Sequence, residues 1–157
     1  MKIYNPYRKV EGYHCFGCSP DNPIGLHLNF HEEGDEVWAD WTPSKPYEGW
    51  MNVLHGGIQA TLMDEIASWV VFVKMKTAGV TRQMDVKYRK PVQVSDGVIT
   101  IRAKVREVIR SMVLIDVKLY SAGNICSEAI ITYYIFNEEE ARDKFLYPGT
   151  DAFYSQT

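Results

Sequence analysis

Residues 54–69 read LHGGIQATLMDEIASW, and this stretch decides the architecture of the 157-residue chain. It predicts the start of a long helix that is apolar on nearly every side, and such a helix is buried. Two glycines, Gly56 and Gly57, stand at the start of the helix, and two acids, Asp64 and Glu65, lie part-way along it. Carboxylates in a buried helix need either a partner or a function.

The segments around this helix alternate between apolar and polar side chains, which predicts strands with one buried face. The helix itself is predicted from Gly56 to about Thr77, with Gly79 as its stop. Strands are predicted at Leu26–His31, at Glu36–Thr42, at Thr81–Tyr88 and in three apolar rows that begin at Ile99, Val113 and Ala129. One buried helix and about six such strands predict an α+β protein with a curved antiparallel sheet wrapped around the helix, the hotdog fold.

Turn-forming residues connect these strands. Residues 32–35, 96–97 and 122–124 predict hairpins between neighbouring strands. The chain is expected to form a single domain over residues 1–157, with an N-terminal arm of residues 1–25 and a short C-terminal tail of residues 137–157. The tail is expected to hold a short helix from Glu138 and to end loosely.

Composition excludes several classes of partner. Apolar residues make up 46% and charged residues 24% of the chain, which is ordinary for a folded domain. The net charge of -3 gives no reason to expect nucleic acid or an anionic membrane as a partner. No apolar run follows Lys2, and the run Trp69–Val73 is too short to span a bilayer. We therefore expect a cytoplasmic protein without membrane insertion.

Cys15-Phe16-Gly17-Cys18 has the spacing of one half of a zinc site. The second half, another cysteine pair or a spaced histidine pair, is not clear. Alternation around His27 and His31 predicts a strand that carries both on its polar face. The odd number of cysteines argues against a disulfide framework. The sequence therefore predicts no metal and no cofactor, and a tight turn that holds the N-terminal arm against the body.

The helix carries its own candidate chemistry. Gly57, Thr61, Asp64 and Ser68 form one polar stripe, and Glu65 lies on the neighbouring stripe. Asp64 is either a hydrogen-bonded buried acid or a general base or nucleophile, and both interpretations stay open. Glycines at the helix start leave N–H groups unpaired at the positive end of the helix dipole, which suits a carbonyl oxygen that becomes negative during acyl transfer. Their alternative role is to let the loop enter the helix closely.

The spacing of these groups predicts a shared site. Asp64 follows Gly57 by seven residues, which is about 10 Å along a helix axis. One carbonyl does not easily touch both groups in a single chain. Two chains paired with antiparallel helices bring Asp64 of one close to Gly57 of the other. We therefore expect a homodimer with two interfacial sites, and a dimer of dimers is a further possibility.

The spacing of His55-Gly56-Gly57 and Asp64 resembles that of hotdog acyl-CoA thioesterases of the phenylacetic-acid-degradation and hydroxybenzoyl-CoA type. The segment from Cys15 to Leu28 is similar to the N-terminal arm of many bacterial members. Tyr88-Arg89-Lys90-Pro91-Val92 is similar to an aromatic-basic-proline segment that those enzymes often carry. Together these features cover about residues 13–136.

The resemblance implies roles for the residues around the helix. The backbone N–H of Gly57, with that of Gly56 as a possible second donor, polarises the thioester carbonyl. Asp64 of the partner subunit attacks this carbonyl or activates a water molecule. His55 orients the loop or binds the thioester region, and Thr81 occupies a position where some relatives use serine to place the water.

Further positions follow with weaker support. Asn52 precedes the motif, but relatives carry their functional asparagine further upstream, so Asn52 is either a substrate-binding or a loop residue. Arg89 and Lys90 are expected to bind the phosphates of coenzyme A, with Arg106 and Arg110 next. Glu65 is the alternative catalytic acid.

The predicted function is hydrolysis of an acyl-CoA thioester to a free acid and coenzyme A. The first alternative is a hotdog protein that binds acyl-CoA without catalysis, although binding alone does not require a buried acid. A hotdog hydratase is the second alternative, but those enzymes usually order their histidine and acid differently. Four aromatic residues are candidates for an acyl pocket: Tyr47, Trp50, Trp69 and Phe72.

Overall fold

A long central helix packs against one seven-stranded antiparallel sheet in the computed structural model, which describes residues 1–156. The helices are α1 (Gly56–Val70) and α2 (Glu138–Phe145). The strands are β1 (Lys2–Ile3), β2 (Phe30–Glu33), β3 (Glu36–Trp41), β4 (Gly79–Tyr88), β5 (Ile99–Ile109), β6 (Met112–Ser121) and β7 (Asn124–Ile135). Their order across the sheet is β1-β2-β3-β5-β6-β7-β4. This arrangement confirms the predicted α+β hotdog architecture.

The core lies between α1 and the inner face of the sheet. Leu62, Met63 and Ile66 of α1 are fully buried. Trp69 stacks on Phe30 with ring centroids 4.8 Å apart. Apolar burial of this extent is the main source of stability in a domain of this size. None of the helices in residues 1–156 is long and apolar enough to cross a membrane.

The central helix ends earlier than predicted, and Gly79 is not its stop. After Val70 the chain continues as one π-helical turn, Val71–Met75, and the left-handed conformation of Lys76 (φ 57°) ends it. Gly79 instead opens β4. A Cβ atom on Gly79 would lie 2.7 Å from the carbonyl oxygen of Tyr134, so glycine there allows two backbones to approach closely.

The first predicted strand is shorter than its alternation suggests. Strand β2 begins only at Phe30, because His27 takes a left-handed conformation (φ 55°) that a strand does not accommodate. The ring of His27 bonds to the carbonyl oxygen of Asn22, and the ring of His31 stacks on Trp38. The two histidines therefore do not share a strand face, contrary to the prediction.

One of the three predicted hairpins is wrong. Strand β4 pairs with β7, whereas β5 pairs with β3 and β6, so residues 96–97 lie on a crossover. The turn at Ala122-Gly123 does join β6 to β7, and both residues have the positive φ that a two-residue hairpin turn requires. The β2–β3 hairpin is also confirmed, with its turn at residues 34–35.

The two ends of the chain are more firmly held than predicted. The sequence did not reveal β1, whose two residues pair with β2 and extend the sheet. The short helix from Glu138 is confirmed as α2. Beyond it, Phe153 is fully buried against Trp69 and Phe72, so the tail does not end loosely over the described residues.

Candidate active site

The Asp64 carboxylate is held by two hydroxyl groups. Its Oδ1 atom accepts hydrogen bonds from Thr81 Oγ1 at 2.8 Å and from Tyr133 Oη at 2.7 Å. The Tyr133 hydroxyl also lies 2.8 Å from the backbone oxygen of Asp64. Within residues 1–156 no hydrogen bond reaches Oδ2. Oδ1 is thus fixed by two hydrogen bonds, whereas Oδ2 has no partner among the described residues.

A β-bulge brings Thr81 to this carboxylate. Thr81 lies opposite Tyr133 and Gln83 lies opposite Thr132, so Arg82 has no partner on β7. One extra residue reverses the in-and-out alternation of a strand. Residues directly opposite each other point to the same face. The bulge therefore aims Thr81 and Tyr133 together at Asp64.

Sequence reasoning missed Tyr133, which it placed in an apolar row of the sheet. The available signal was the hydroxyl group itself, because a buried tyrosine usually finds a hydrogen-bond partner. Burial, and then the charge of Asp64, raises the pKa of Tyr133 well above its usual range. Tyr133 therefore stays protonated and donates a hydrogen bond to the carboxylate.

The helix start differs from the prediction in one respect. The Gly57 N–H is not unpaired, because it donates to His55 Nδ1 at 2.9 Å, which makes His55 the N-cap of α1. A Cβ atom on Gly57 would lie 3.1 Å from the same ring, so glycine leaves room for this cap. The Gly56 N–H has no acceptor within the described residues. Of the two glycines, Gly56 is therefore the one with a free N–H.

Asp64 is the member of the polar stripe whose side chain is available. Thr61 Oγ1 donates to the backbone oxygen of Gly57 at 2.9 Å, and Ser68 Oγ donates to that of Glu65 at 2.6 Å. Both hydroxyl groups are occupied by the helix backbone, as serine and threonine within helices often are. Asp64 is thus the one residue of the polar stripe whose side-chain oxygens are not bonded to the backbone of the helix.

Glu65 lies in a different environment from Asp64. Its Oε1 atom is 3.4 Å from Cys15 Sγ and accepts a hydrogen bond from Trp69 Nε1 at 3.2 Å. Burial raises the pKa of Glu65 to about 7. Neither Thr81 nor Tyr133 bonds to it. The geometry therefore favours Asp64 over Glu65 as the acid at this site.

Residues 15–18 form the predicted turn, and this turn lies against α1. A Cβ atom on Gly17 would lie 2.5 Å from the carboxyl carbon of Glu65, so the turn fits closely around that group. Interaction with Cys18 lowers the pKa of Cys15 to about 5 against the opposing effect of burial. The pKa of Cys18 is raised, first by its bond to Cys15 and then by burial.

Cys15 is expected to react with iodoacetamide at a rate that changes little between about pH 6 and pH 8, since its thiolate is already formed above its pKa of about 5. An ordinary cysteine becomes much more reactive over the same interval. Peptide mapping after brief alkylation, with a metal chelator present, measures each site separately. Cys126, which is buried and has a raised pKa, serves as the comparison. A Cys15 rate that rises tenfold per pH unit would contradict the expectation.

Asn52 is committed to its loop. Its Nδ2 donates to Ser95 Oγ at 2.9 Å and its Oδ1 accepts from the Ser95 N–H at 2.9 Å. The residue takes a left-handed conformation (φ 61°), which asparagine tolerates better than most residues. Both ends of the amide are therefore used, and the contacts favour the loop role over substrate binding.

The basic residues after β4 lie near the start of α1. Tyr88 Oη donates to the backbone oxygen of Gly56 at 2.7 Å, and the next two residues are Arg89 and Lys90. Arg89 forms an ion pair with Glu128 at 2.8 Å, and the side chain of Lys90 donates to the amide oxygen of Asn124 at 3.3 Å.

The two arginines ranked next are placed differently. Arg106 is paired with Asp116, at 3.0 Å. Arg110 lies in the β5–β6 turn with φ 54°. Within residues 1–156, Lys90 and Arg110 form no ion pair. Of these two predicted phosphate-binding residues, Lys90 is the one close in sequence to Tyr88, which contacts Gly56.

A cavity of about 400 Å³ lies beside the Asp64 site. Ser68 and Gly79 are part of its wall, one helical turn beyond Asp64 and two residues before Thr81. Its apolar wall includes Tyr7, Val10, Tyr13, Phe72, Phe145 and Leu146. Of the four predicted pocket aromatics only Phe72 lines it, while Trp69 lies in the core and Trp50 is exposed.

Comparison with known families finds a match over the segment that carries this site. The family model described as thioesterase superfamily matches residues 51–127, which include the helix start, Asp64 and Thr81. No curated protein matches the sequence at a significant level.

Solved structures share the fold. A thioesterase superfamily protein is 23% identical with a TM-score of 0.70, and the match covers 77% of this chain but only 60% of that one. A hypothetical thioesterase from Streptococcus pneumoniae, solved with coenzyme A, is 23% identical with a TM-score of 0.64, covering 70% and 89% of the two chains. Zebra fish thioesterase superfamily member 2 is 21% identical with a TM-score of 0.65, covering 75% and 88%. The match to the thioesterase superfamily model over residues 51–127, together with the shared fold, confirms the predicted resemblance to hotdog thioesterases.

Proposed function

We propose that this protein hydrolyses an acyl-CoA thioester and that Asp64 is its catalytic carboxylate, acting as nucleophile or general base. The observation that carries the proposal is the Asp64 carboxylate, which Thr81 and Tyr133 hold by one oxygen while the other stays free. A binding protein has no need for a positioned carboxylate with a free oxygen. The Streptococcus pneumoniae structure contains coenzyme A, which supports a coenzyme A thioester as the substrate.

The backbone donor of the reaction is the Gly56 N–H, with that of Gly57 shared with His55. Both lie at the positive end of α1, where they stabilise the negative oxygen of a thioester under attack. Gly56 and Asp64 are eight residues apart, about 12 Å along the helix axis. The two groups therefore reach one thioester from two subunits.

Strand β4 supports this shared site. It is an edge strand, its residues are mostly exposed, and it contacts Asp64 at one end through Thr81 and Gly56 at the other through Tyr88. Long exposed edges are templates for pairing with another chain. Antiparallel pairing of two β4 strands about their centre sets Asp64 of each subunit beside Gly56 of its partner.

The remaining contacts follow from this arrangement. Lys90, with Arg89, lies beside the start of α1 and binds phosphates of coenzyme A there. The apolar cavity next to Ser68 and Gly79 receives the acyl group. The preference for an aromatic or aliphatic acyl group, the tetramer and the cytoplasmic location stay predictions from the sequence.

The direct test is the release of free thiol from short, medium, long and aromatic acyl-CoA substrates, followed with a thiol reagent. Release that depends on Asp64 supports the enzyme. Tight binding of acyl-CoA by wild-type protein, with no release from any member of the panel, would favour the alternative of a non-catalytic binding protein.

Tyr133→Phe and Thr81→Val are each expected to lower kcat about tenfold and to leave KM nearly unchanged, because each removes one hydrogen bond that positions Asp64. Steady-state kinetics on the best substrate measure the two constants. Thr100→Val is the matched control, since Thr100 makes a similar 2.6 Å bond to Asp40 on strands β5 and β3. Equal losses in Thr100→Val would show that the effect is structural.

A further inference from the structure

Three side chains with metal-binding chemistry converge outside the Asp64 site. Cys15 and Cys18 come from the N-terminal arm and Glu65 from α1, and their ligand atoms lie within 4.8 Å of one another. We propose that these three residues bind a divalent transition-metal ion, Zn²⁺ by their ligand chemistry, which ties the arm to the central helix. Thiolate and carboxylate ligands together suit Zn²⁺ better than the harder cations Mg²⁺ or Ca²⁺.

The one ligand distance that can be compared fits a tetrahedral ion. With Zn–S near 2.3 Å and Zn–O near 2.0 Å, a sulfur and an oxygen on one tetrahedral zinc lie about 3.5 Å apart. Cys15 Sγ and Glu65 Oε1 are 3.4 Å apart. An ion can therefore occupy the space between them with little movement of either side chain.

Two of the three ligands also have a neighbour that orients them, as ligands of metal sites usually do. Tyr13 Oη lies 2.8 Å from Cys18 Sγ. Trp69 Nε1 donates to Glu65.

The Glu65 carboxylate lacks a cation in its present surroundings. Within residues 1–156 none of the ion pairs includes it. The turn nevertheless closes tightly on this group, since a side chain at Gly17 would collide with it. A metal ion supplies the missing positive charge, and it explains why an acid occupies this side of the apolar helix.

The site has an access route and an open position. Cys15, Cys18 and Glu65 all line the cavity of about 400 Å³. Three protein ligands leave a fourth tetrahedral position, and the cavity gives water a route to it.

The test uses full-length protein without a histidine tag, purified under reducing conditions. Elemental analysis is expected to find about one zinc per chain, and Co²⁺ titration is expected to give the visible absorption of tetrahedral thiolate-bound cobalt. In competition with a chromophoric chelator, Cys15→Ser and Glu65→Gln are expected to weaken zinc binding by about 100-fold. Cys126→Ser is the control and is expected to bind as wild type, because this buried thiol lies outside the cluster.

Two results would overturn the proposal. One is reduced wild-type protein that binds neither zinc nor cobalt at one equivalent. The other is a Cys15–Cys18 disulfide in metal-free protein purified without reductant, which identifies a redox pair instead. If Glu65→Gln fails to fold by circular dichroism, wild type and Cys15→Ser still decide the question. Asp64→Asn is expected to keep its zinc, so the outcome is separate from that of the thioesterase assay.

Discussion

Asp64→Asn is expected to lower kcat/KM by about 10²–10⁴-fold, the range that general acid–base catalysis commonly contributes. Asparagine keeps the size of the side chain and can still accept from Thr81 and Tyr133 through its amide oxygen. The amide lacks the carboxylate oxygen that either attacks the thioester or takes a proton from water. The expected loss therefore belongs to the chemistry, while the melting temperature changes by only a few degrees.

The matched control for this prediction is Asp40→Asn. Asp40 accepts a hydrogen bond from Thr100 at 2.6 Å, as Asp64 does from Thr81, but it lies on β3 with no contact to the Asp64 site. We expect its kcat/KM to stay within about twofold of wild type. Full activity in Asp64→Asn would show that Asp64 is not the catalytic carboxylate and that another group performs that role.

The sequence carried most of the architecture because its signals were periodic. A helix apolar on every side and strands with strict alternation left one economical solution, a sheet wrapped around that helix. The errors lie where local geometry overrides the pattern. Lys76 rather than Gly79 ends the helix by taking a left-handed conformation, and His27 breaks the alternation of β2 in the same way.

The residues of the candidate site were easier to predict than their contacts. The spacing predicted His55, Gly57 and Asp64, with Gly56 as a second donor, but the bulge at Arg82 has no sequence signature, so the contacts of Thr81 and Tyr133 with Asp64 were not predicted. The cap that occupies the Gly57 N–H depends on a side-chain conformation. It moves the free donor by one residue, to Gly56.

The cysteine pair shows a different limit. The second half of a zinc site was sought among cysteines and histidines, since pairs of those residues have recognisable spacing. Glu65 is far from Cys15 and Cys18 in sequence and reaches them only because the arm folds back on α1. A lone acid in a helix carries no spacing signal, so only the fold reveals the third ligand.

Co-expression of Gly56→Pro and Asp64→Asn chains is expected to restore activity that neither variant has alone. Proline at the first helical position removes the free N–H with little harm to the helix. His55, with φ -56° and ψ 132°, already has the extended conformation that a residue before proline prefers. Gly56→Pro alone is expected to lose about 10²–10³-fold in kcat, the cost of one donor to a developing oxyanion.

The recovery in the mixture has a calculable size if each site takes its N–H from one subunit and its acid from the other. Random pairing makes half of the dimers mixed, and each mixed dimer holds one intact site and one doubly altered site, so about one quarter of wild-type activity returns. Chains with two different tags, purified in sequence, isolate the mixed dimer and raise the expected value to about one half.

Co-expression of Asp64→Asn with Asp64→Ala is the control, because both variants lack the same half of the site and no pairing repairs it. A site contained within one chain gives no recovery in either mixture, since every chain carries its own defect. The two arrangements thus differ between about one quarter of full activity and almost none. That difference decides whether the edge strand β4, with Thr81 at one end and Tyr88 at the other, joins two halves of one catalytic site.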